Sequence, residues 1–269
     1  VSDFHVTPEN CVNTCGAGRR FFDHAGHRRV LNANNHPFCA KGMGADFDVD
    51  SFIIPREQWP DLISQKDKAK SWLDDLVAEL NIPCKDQDGR SLCHAYSVVT
   101  AYEVMDSVAG NKHLEYGSES VAGYVTNWSN RGADPEDDLD VLVERGVCEA
   151  SFMDQPWSLS PSRWKDGWKE NALTHRALEY CVPRTKLWDV SCTCALKNLC
   201  TGTWASWWSH AWSASYRLKN EKGKIWRKDR NNWGAGYGQN GFMWFSEGNR
   251  SGQGTPSGLV IIRVATPTA

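Results

Sequence analysis

Apolar residues recur at helical spacing through the earlier part of this chain, whereas its last third breaks into short strand-like runs separated by glycine-rich turns. In PREQWPDLISQKDKAKSWLDDLVAEL, residues Ile63, Ala69, Trp72, Leu73, Leu76, Val77 and Leu80 predict helix. Pro83 and Gly89 interrupt that pattern, and Leu92, Ala95, Tyr96, Val99, Tyr102 and Met105 then open a second stripe. GADPEDDLDVLVERGV carries its own punctuation. Asp134 suits the cap, Pro135 the first helical position, the acidic run the positive end of the helix dipole, and Gly146 the closing turn. Another helix is predicted over 168–180. KGKIWRKD, GFMWF and SGLVIIRV read as strands. Helices early and sheet late predict an α+β chain with two unlike lobes.

A chain of 269 residues accommodates one broad domain or two lobes. The formal charge of -3 gives no general nucleic-acid or anionic-membrane footprint. No stretch approaches the roughly 20 apolar residues of a membrane span, so no membrane partner is predicted. The opening VSDFHVTPENC lacks a basic start and an apolar run, but a signal already removed would leave no trace, and localisation stays open. Residues 1–50, rich in Gly, Asn and His, are expected to form an irregular accessory extension to a main domain at 51–269. Its phenylalanines Phe4, Phe21, Phe22 and Phe38 are expected to find apolar contacts on the main body or on a neighbouring subunit.

Ten cysteines need an account. CVNTC and CTCALKNLC are local clusters, but neither has the two-residue spacing that dominates compact structural zinc sites. A zinc site from Cys11, Cys15, Cys39 and one of His24, His27 or His36 is one reading of the extension. Buried free thiols, or one or two disulfides, are the favoured one.

Cys93 stands apart because SLCHAYS places it at or near a helix N-terminus, where unpaired amides and aligned peptide dipoles favour a thiolate. Core packing and metal ligation are the alternatives for this residue alone. A nucleophile needs a base, and the base needs an orienting group. WWSHAWSASYRLK puts His210 at the start of a predicted strand in aromatic company, and RNNWGAGYGQNGFMWF puts Asn231 before a tryptophan and a series of glycine turns. Trp233 could shield an Asn231–His210 hydrogen bond from water.

At these residues the chain resembles the papain-like cysteine peptidases. QDGRSLCHAYS resembles that family's nucleophile segment, SHAW its histidine strand, and NNWGAGYGQNGF its asparagine, tryptophan and glycine signature. The resemblance covers about residues 53–264. It implies a two-lobe fold, with a helical lobe carrying a central nucleophile helix and an antiparallel β-rich lobe. It further implies a cysteine endopeptidase, with Cys93 as nucleophile, His210 as general base and acid, Asn231 as the imidazole-orienting residue and Gln87 as an oxyanion donor. A peptide or protein substrate and no cofactor are implied with it.

There are departures from the family pattern. His94 stands where the family usually has tryptophan, Arg90 where many members have a disulfide cysteine, and the usual glycine-rich substrate segment has no counterpart in YVTNWSNRG. His94 is expected to pack or contact a loop rather than serve as a second base. Arg90 is expected in a surface or salt-bridged role. DPEDDLD is expected to be a solvated helix start. A latent or inactive module serving a larger assembly is the competing interpretation. Its protein partner would dock through the extension or through an aromatic surface drawn from the 14 tryptophans.

Overall fold

A computed structural model describes residues 48–154, 158–250 and 253–264. Cys11, Cys15 and Cys39 with their histidines, and Phe4, Phe21, Phe22 and Phe38, lie outside the described residues.

The chain builds a helical region and an antiparallel sheet. Helices α1 (Val49–Phe52), α2 (Trp59–Ala69), α3 (Leu73–Glu79), α4 (Cys93–Val108), α5 (Ser118–Thr126), α6 (Pro135–Glu144) and α7 (Trp168–Thr174) come first. Strand β1 (Glu179–Cys181) and helix α8 (Leu187–Leu196) follow, then β2 (Thr201–Ala205), β3 (His210–Glu221), β4 (Lys224–Arg230), β5 (Phe242–Ser246) and β6 (Gly258–Arg263). The six strands form one sheet in the order β1-β6-β2-β3-β4-β5, antiparallel throughout.

Local chemistry explains most boundaries. The long helical prediction divides at Lys70, which turns left-handed (φ 48°) while Ser71 N–H donates back to the Lys66 carbonyl at 3.2 Å. A new helix, α3, is then capped by Trp72, whose N–H donates to the Asp75 carboxylate at 3.1 Å. In α6, Asp134 accepts from Glu136 N–H at 3.0 Å, and Gly146 takes φ 73° just past the last turn, as its punctuation predicts. A side chain at Gly146 would also run into the Ala172 carbonyl.

Two elements differ from expectation. The predicted helix over 168–180 stops at Thr174, because Leu178 donates to the Arg263 carbonyl and Glu179–Cys181 pair with β6. Tertiary pairing overrides the local pattern there. The CTCALKNLC cluster lies largely on α8, a helix that interrupts the expected run of strands, and its cysteines are buried free thiols.

The α4 helix is buried almost all round rather than along one stripe, including Ser97, Thr100 and Glu103. It packs on β2, β3 and β6 on one side and on α5 and α6 on the other. Gly202 lets it approach the sheet, since a side chain there would come within 2.9 Å of Val260 and 3.3 Å of Ser97 Oγ. Among the described residues no helix is long and apolar enough to cross a membrane.

Candidate active site

Two loops meet beside the N-terminus of α4. Gln87 N–H donates to the Asn232 carbonyl at 2.9 Å, Gly234 N–H donates to the Lys85 carbonyl at 3.0 Å, and Asp86 forms a β-bridge with Trp233. The chain then turns through Asp88 (φ 50°) and Gly89 (φ 66°), with Asp86 Oδ1 accepting from Asp88 N–H at 2.8 Å. Arg90 closes the turn by donating both its N–H and its Nε–H to the Gln87 carbonyl, each at 3.0 Å. The helix that follows begins at Cys93, so this thiol sits where the first amides of α4 have no intrahelical acceptor.

His210 opens β3 after a tight turn at Ser209 (φ 51°), and Asn231 follows the last residue of β4. His210 Nε2 lies 2.8 Å from Asn231 Oδ1. The backbone N–H of Asn232 donates to that same oxygen at 2.8 Å, which identifies it as the acceptor end of the amide. Nε2 therefore carries the proton, and in the neutral ring Nδ1 carries the lone pair. Asn231 is itself fixed by its N–H to the Gly241 carbonyl at 2.8 Å. Trp233 stacks on the imidazole (centroids 4.5 Å apart, planes at 30°) and Trp208 meets it edge-on (5.0 Å, 71°). These apolar rings packed against the imidazole shield the His210–Asn231 bond.

The helix and the strand are stitched together close to these residues. Ser97, one turn beyond Cys93, donates to the carbonyl of Trp212, two residues beyond His210, at 2.8 Å. Its oxygen also accepts from Thr203 N–H at 3.0 Å. Cys93, His210, Asn231 and Gln87 are all buried. The Gln87 side-chain amide donates to the Arg90 carbonyl at 2.5 Å.

No family model matches the sequence, and neither does any curated protein. Solved structures do match. Xylellain, a cysteine protease from Xylella fastidiosa, aligns at 14% identity with a TM-score of 0.54, over 68% of this chain and 83% of its own. The procathepsin L2 proteinase from the larval midgut of Tenebrio molitor aligns at 15% identity and TM-score 0.54, over 68% of this chain and 64% of its own. The proCathepsin B S9 of Trypanosoma congolense aligns at 11% identity and TM-score 0.53, over 73% of this chain and 77% of its own. The fold is papain-like.

Within this papain-like fold the surroundings of α4 hold several buried charges. His94 is fully buried with Nδ1 2.7 Å from Asp138 Oδ2 on α6, and Asp138 is fully buried as well. The run DPEDDLD is thus only partly a solvated start, because Asp138 turns inward. Arg90 ties the Gln87 turn to α5 through Glu119 at 2.5 Å and reaches the Tyr96 hydroxyl at 3.1 Å. Burial and the Glu119 charge push the Tyr96 phenol up, so it stays a donor, and its hydroxyl donates a hydrogen bond to Glu119 at 2.8 Å. Sequence reasoning had no signal for Asp138 or Glu119 as partners, since each lies tens of residues from the group it meets. Ser97 and Trp208 were missed too, although Trp208 stands in the aromatic run that drew attention to His210.

Several other described cysteines are thiols raised by their surroundings. Burial pushes the Cys148 thiol up to about 11 and the Cys200 thiol up to about 12, and raises those of Cys192 and Cys194 as well. Cys84, whose Sγ lies 3.2 Å from the Asn231 carbonyl, is also raised by burial despite the nearby Arg230. These groups stay protonated at neutral pH and are poor nucleophiles. Among the described residues no group of three or more His, Cys, Asp or Glu side chains is placed to hold a metal ion. A cleft of about 530 Å³ opens between Trp59, Trp188 and the β3–β4 turn, but its lining holds no cysteine or histidine.

Proposed function

We propose that this chain hydrolyses peptide or isopeptide bonds through a thioester formed on Cys93. The buried His210–Asn231 pair under Trp233 carries this reading, because it fixes one tautomer and leaves Nδ1 as the nitrogen that takes a proton. Nδ1 removes the Cys93 proton, and the thiolate attacks the carbonyl carbon to form a C–S bond. The negative oxygen that results is stabilised by the Cys93 backbone N–H and by the Gln87 amide, with each well-placed donor contributing roughly 3 kcal/mol in the transition state. The C–N bond then breaks as the imidazolium delivers its proton to the leaving amine. Water, deprotonated by His210, attacks the thioester and releases the carboxylate and the free thiol. The chemistry calls for no cofactor.

A second reading, a latent or inactive module, is favoured by one observation. Cys93, His210 and Gln87 expose no surface, and Gln87 spends one amide hydrogen on the Arg90 carbonyl. Intact-mass analysis after treatment with a peptide-like electrophile separates the two. Hydrolysis predicts a single adduct on native protein that is lost in Cys93→Ala with the fold retained. Unmodified Cys93 in a folded protein sinks the hydrolase and leaves the latent module.

A further inference from the structure

Beside the nucleophile, the structure holds a buried acid–base pair that the reaction above does not use. His94 follows Cys93 directly in the first turn of α4, and its Nδ1 sits 2.7 Å from Asp138 Oδ2 on α6, with no exposed surface on either side chain. The second carboxylate oxygen, Asp138 Oδ1, is buried with no hydrogen-bond partner among the described residues. Among the described residues His94 is the basic group that meets this carboxylate, and a carboxylate that deep without it would be strongly disfavoured.

We propose that the His94–Asp138 pair is a positioning device for Cys93, pinning the first turn of α4 to α6 and keeping uncompensated negative charge away from the nucleophile. The inference rests on the reading of Cys93 as a nucleophile. Its logic is charge balance. We assign the pair two protons, one on His94 Nε2 and one shared between Nδ1 and Asp138 Oδ2; in that state it is neutral overall and does not oppose a thiolate one residue away. Losing the imidazole alone leaves a buried carboxylate within the same turn-to-helix contact. That carboxylate either repels the thiolate or takes up a proton and frees α4 from α6.

Several other charged groups on the packed elements have ion partners of their own. On α5, Glu119 binds Arg90, and further along α4, Glu103 binds Lys85. On α3, Asp74 and Asp75 bind Arg217, and on α6, Glu136 binds Arg184. Asp137 of α6 disfavours the charge on Asp138, as burial does more strongly, and His94 opposes both. Asp134 caps the same helix through the Glu136 N–H. On β3, His210 is tied to Asn231.

The test is the pH profile of iodoacetamide alkylation at Cys93, followed on its own peptide by mass spectrometry in the full chain. In His94→Gln the profile is expected to move to higher pH by about one unit, which is roughly tenfold slower alkylation near neutral pH. In His94→Gln with Asp138→Asn, two neutral amides can bond, and the profile is expected to return to that of the unmodified protein. Thermal melting runs alongside, because a purely structural pair would lower the melting temperature in His94→Gln without moving the profile. An unmoved profile, or a double variant as displaced as the single one, overturns the inference while leaving the hydrolase intact. Cys93 that is inert in the unmodified protein overturns both.

Discussion

Around His210 the strands supply aromatic rings, whereas around Cys93 the helices supply buried charges. Trp233 and Trp208 hold the imidazole by stacking and edge contacts, and Trp212 and Phe245 continue the same layer at 5.4 Å. On the helical side, Lys85–Glu103, Arg90–Glu119 and His94–Asp138 fasten the turn and the helix that present Cys93. The difference follows from the elements. A strand in a sheet sends alternate residues to one face and can line it with rings, while its backbone polar groups are consumed by its neighbours. The loop from Lys85 to Leu92 has only a short backbone bridge to Asn232–Gly234 among the described residues, so much of its path and its approach to α4 is fixed by side chains that bring charge indoors. Packed rings lose stability gradually when altered. A buried charge that loses its partner loses much of it at once.

The sharpest way to break this comparison is at Lys85. Its ammonium lies 2.8 Å from Glu103 Oε2 with both side chains almost wholly buried, and it also donates to the Tyr116 carbonyl at 2.7 Å. Lys85→Met leaves Glu103 buried without its cation, with the Tyr116 N–H at 3.0 Å as a remaining donor. The unfolding free energy in urea should fall by about 3–5 kcal/mol. Adding Glu103→Leu should recover most of the loss, since the stranded charge goes with it. A single variant that loses less than about 1 kcal/mol would show that the helical side is not held by charge.

How much of this was legible in the sequence follows the same division. The His210–Asn231–Trp233 arrangement could be anticipated because its members lie in two short segments with a distinctive spacing of aromatic and glycine residues. The start of α4 at Cys93 was readable for the same local reason, a loop with Gly89 followed by an apolar repeat. The charge pairs were not readable, because pairing Lys85 with Glu103 or His94 with Asp138 requires the packing of α4 against its neighbours to be known first. Helix α8 escaped because it is buried almost all round and so shows no apolar stripe, although buried thiols were among the favoured readings of its cysteines. The end of α7 escaped because Glu179 and Tyr180 are decided by β6.

A milder probe sharpens the aromatic side. Trp233 is only partly buried, and its indole N–H has no acceptor among the described residues. Trp233→Phe keeps a ring over His210 and removes a donor that satisfies nothing, so the protein should lose less than about 1.5 kcal/mol, with no dependence on salt. Cys93 labelling should persist. A loss as large as that of Lys85→Met would mean that the indole N–H is structurally engaged and that the two sides of the site are not held by different means.

The smallest effect is expected where charges are paired but wet. Arg56 places Nε 2.6 Å from Asp189 and Nη2 2.7 Å from Glu247, geometry as good as that of the buried pairs, and its guanidinium lies 5.5 Å from the centre of the Trp59 ring. Its side chain is 51% exposed and that of Glu247 49%, so water and ions already solvate both charges when the bridge is broken. Burial, not distance, thus separates this cluster from Lys85–Glu103. Arg56→Gln should cost less than about 1 kcal/mol. In about 1 M salt, where the screening length falls to roughly 3 Å, the difference from the unmodified protein should nearly vanish, while the defect of Lys85→Met should survive the same salt. Urea midpoints for both variants at low and high salt check this directly. Equal salt sensitivity in the two variants would show that solvent reaches Lys85, and the contrast between a charge-held helical side and a ring-held sheet side would then fail.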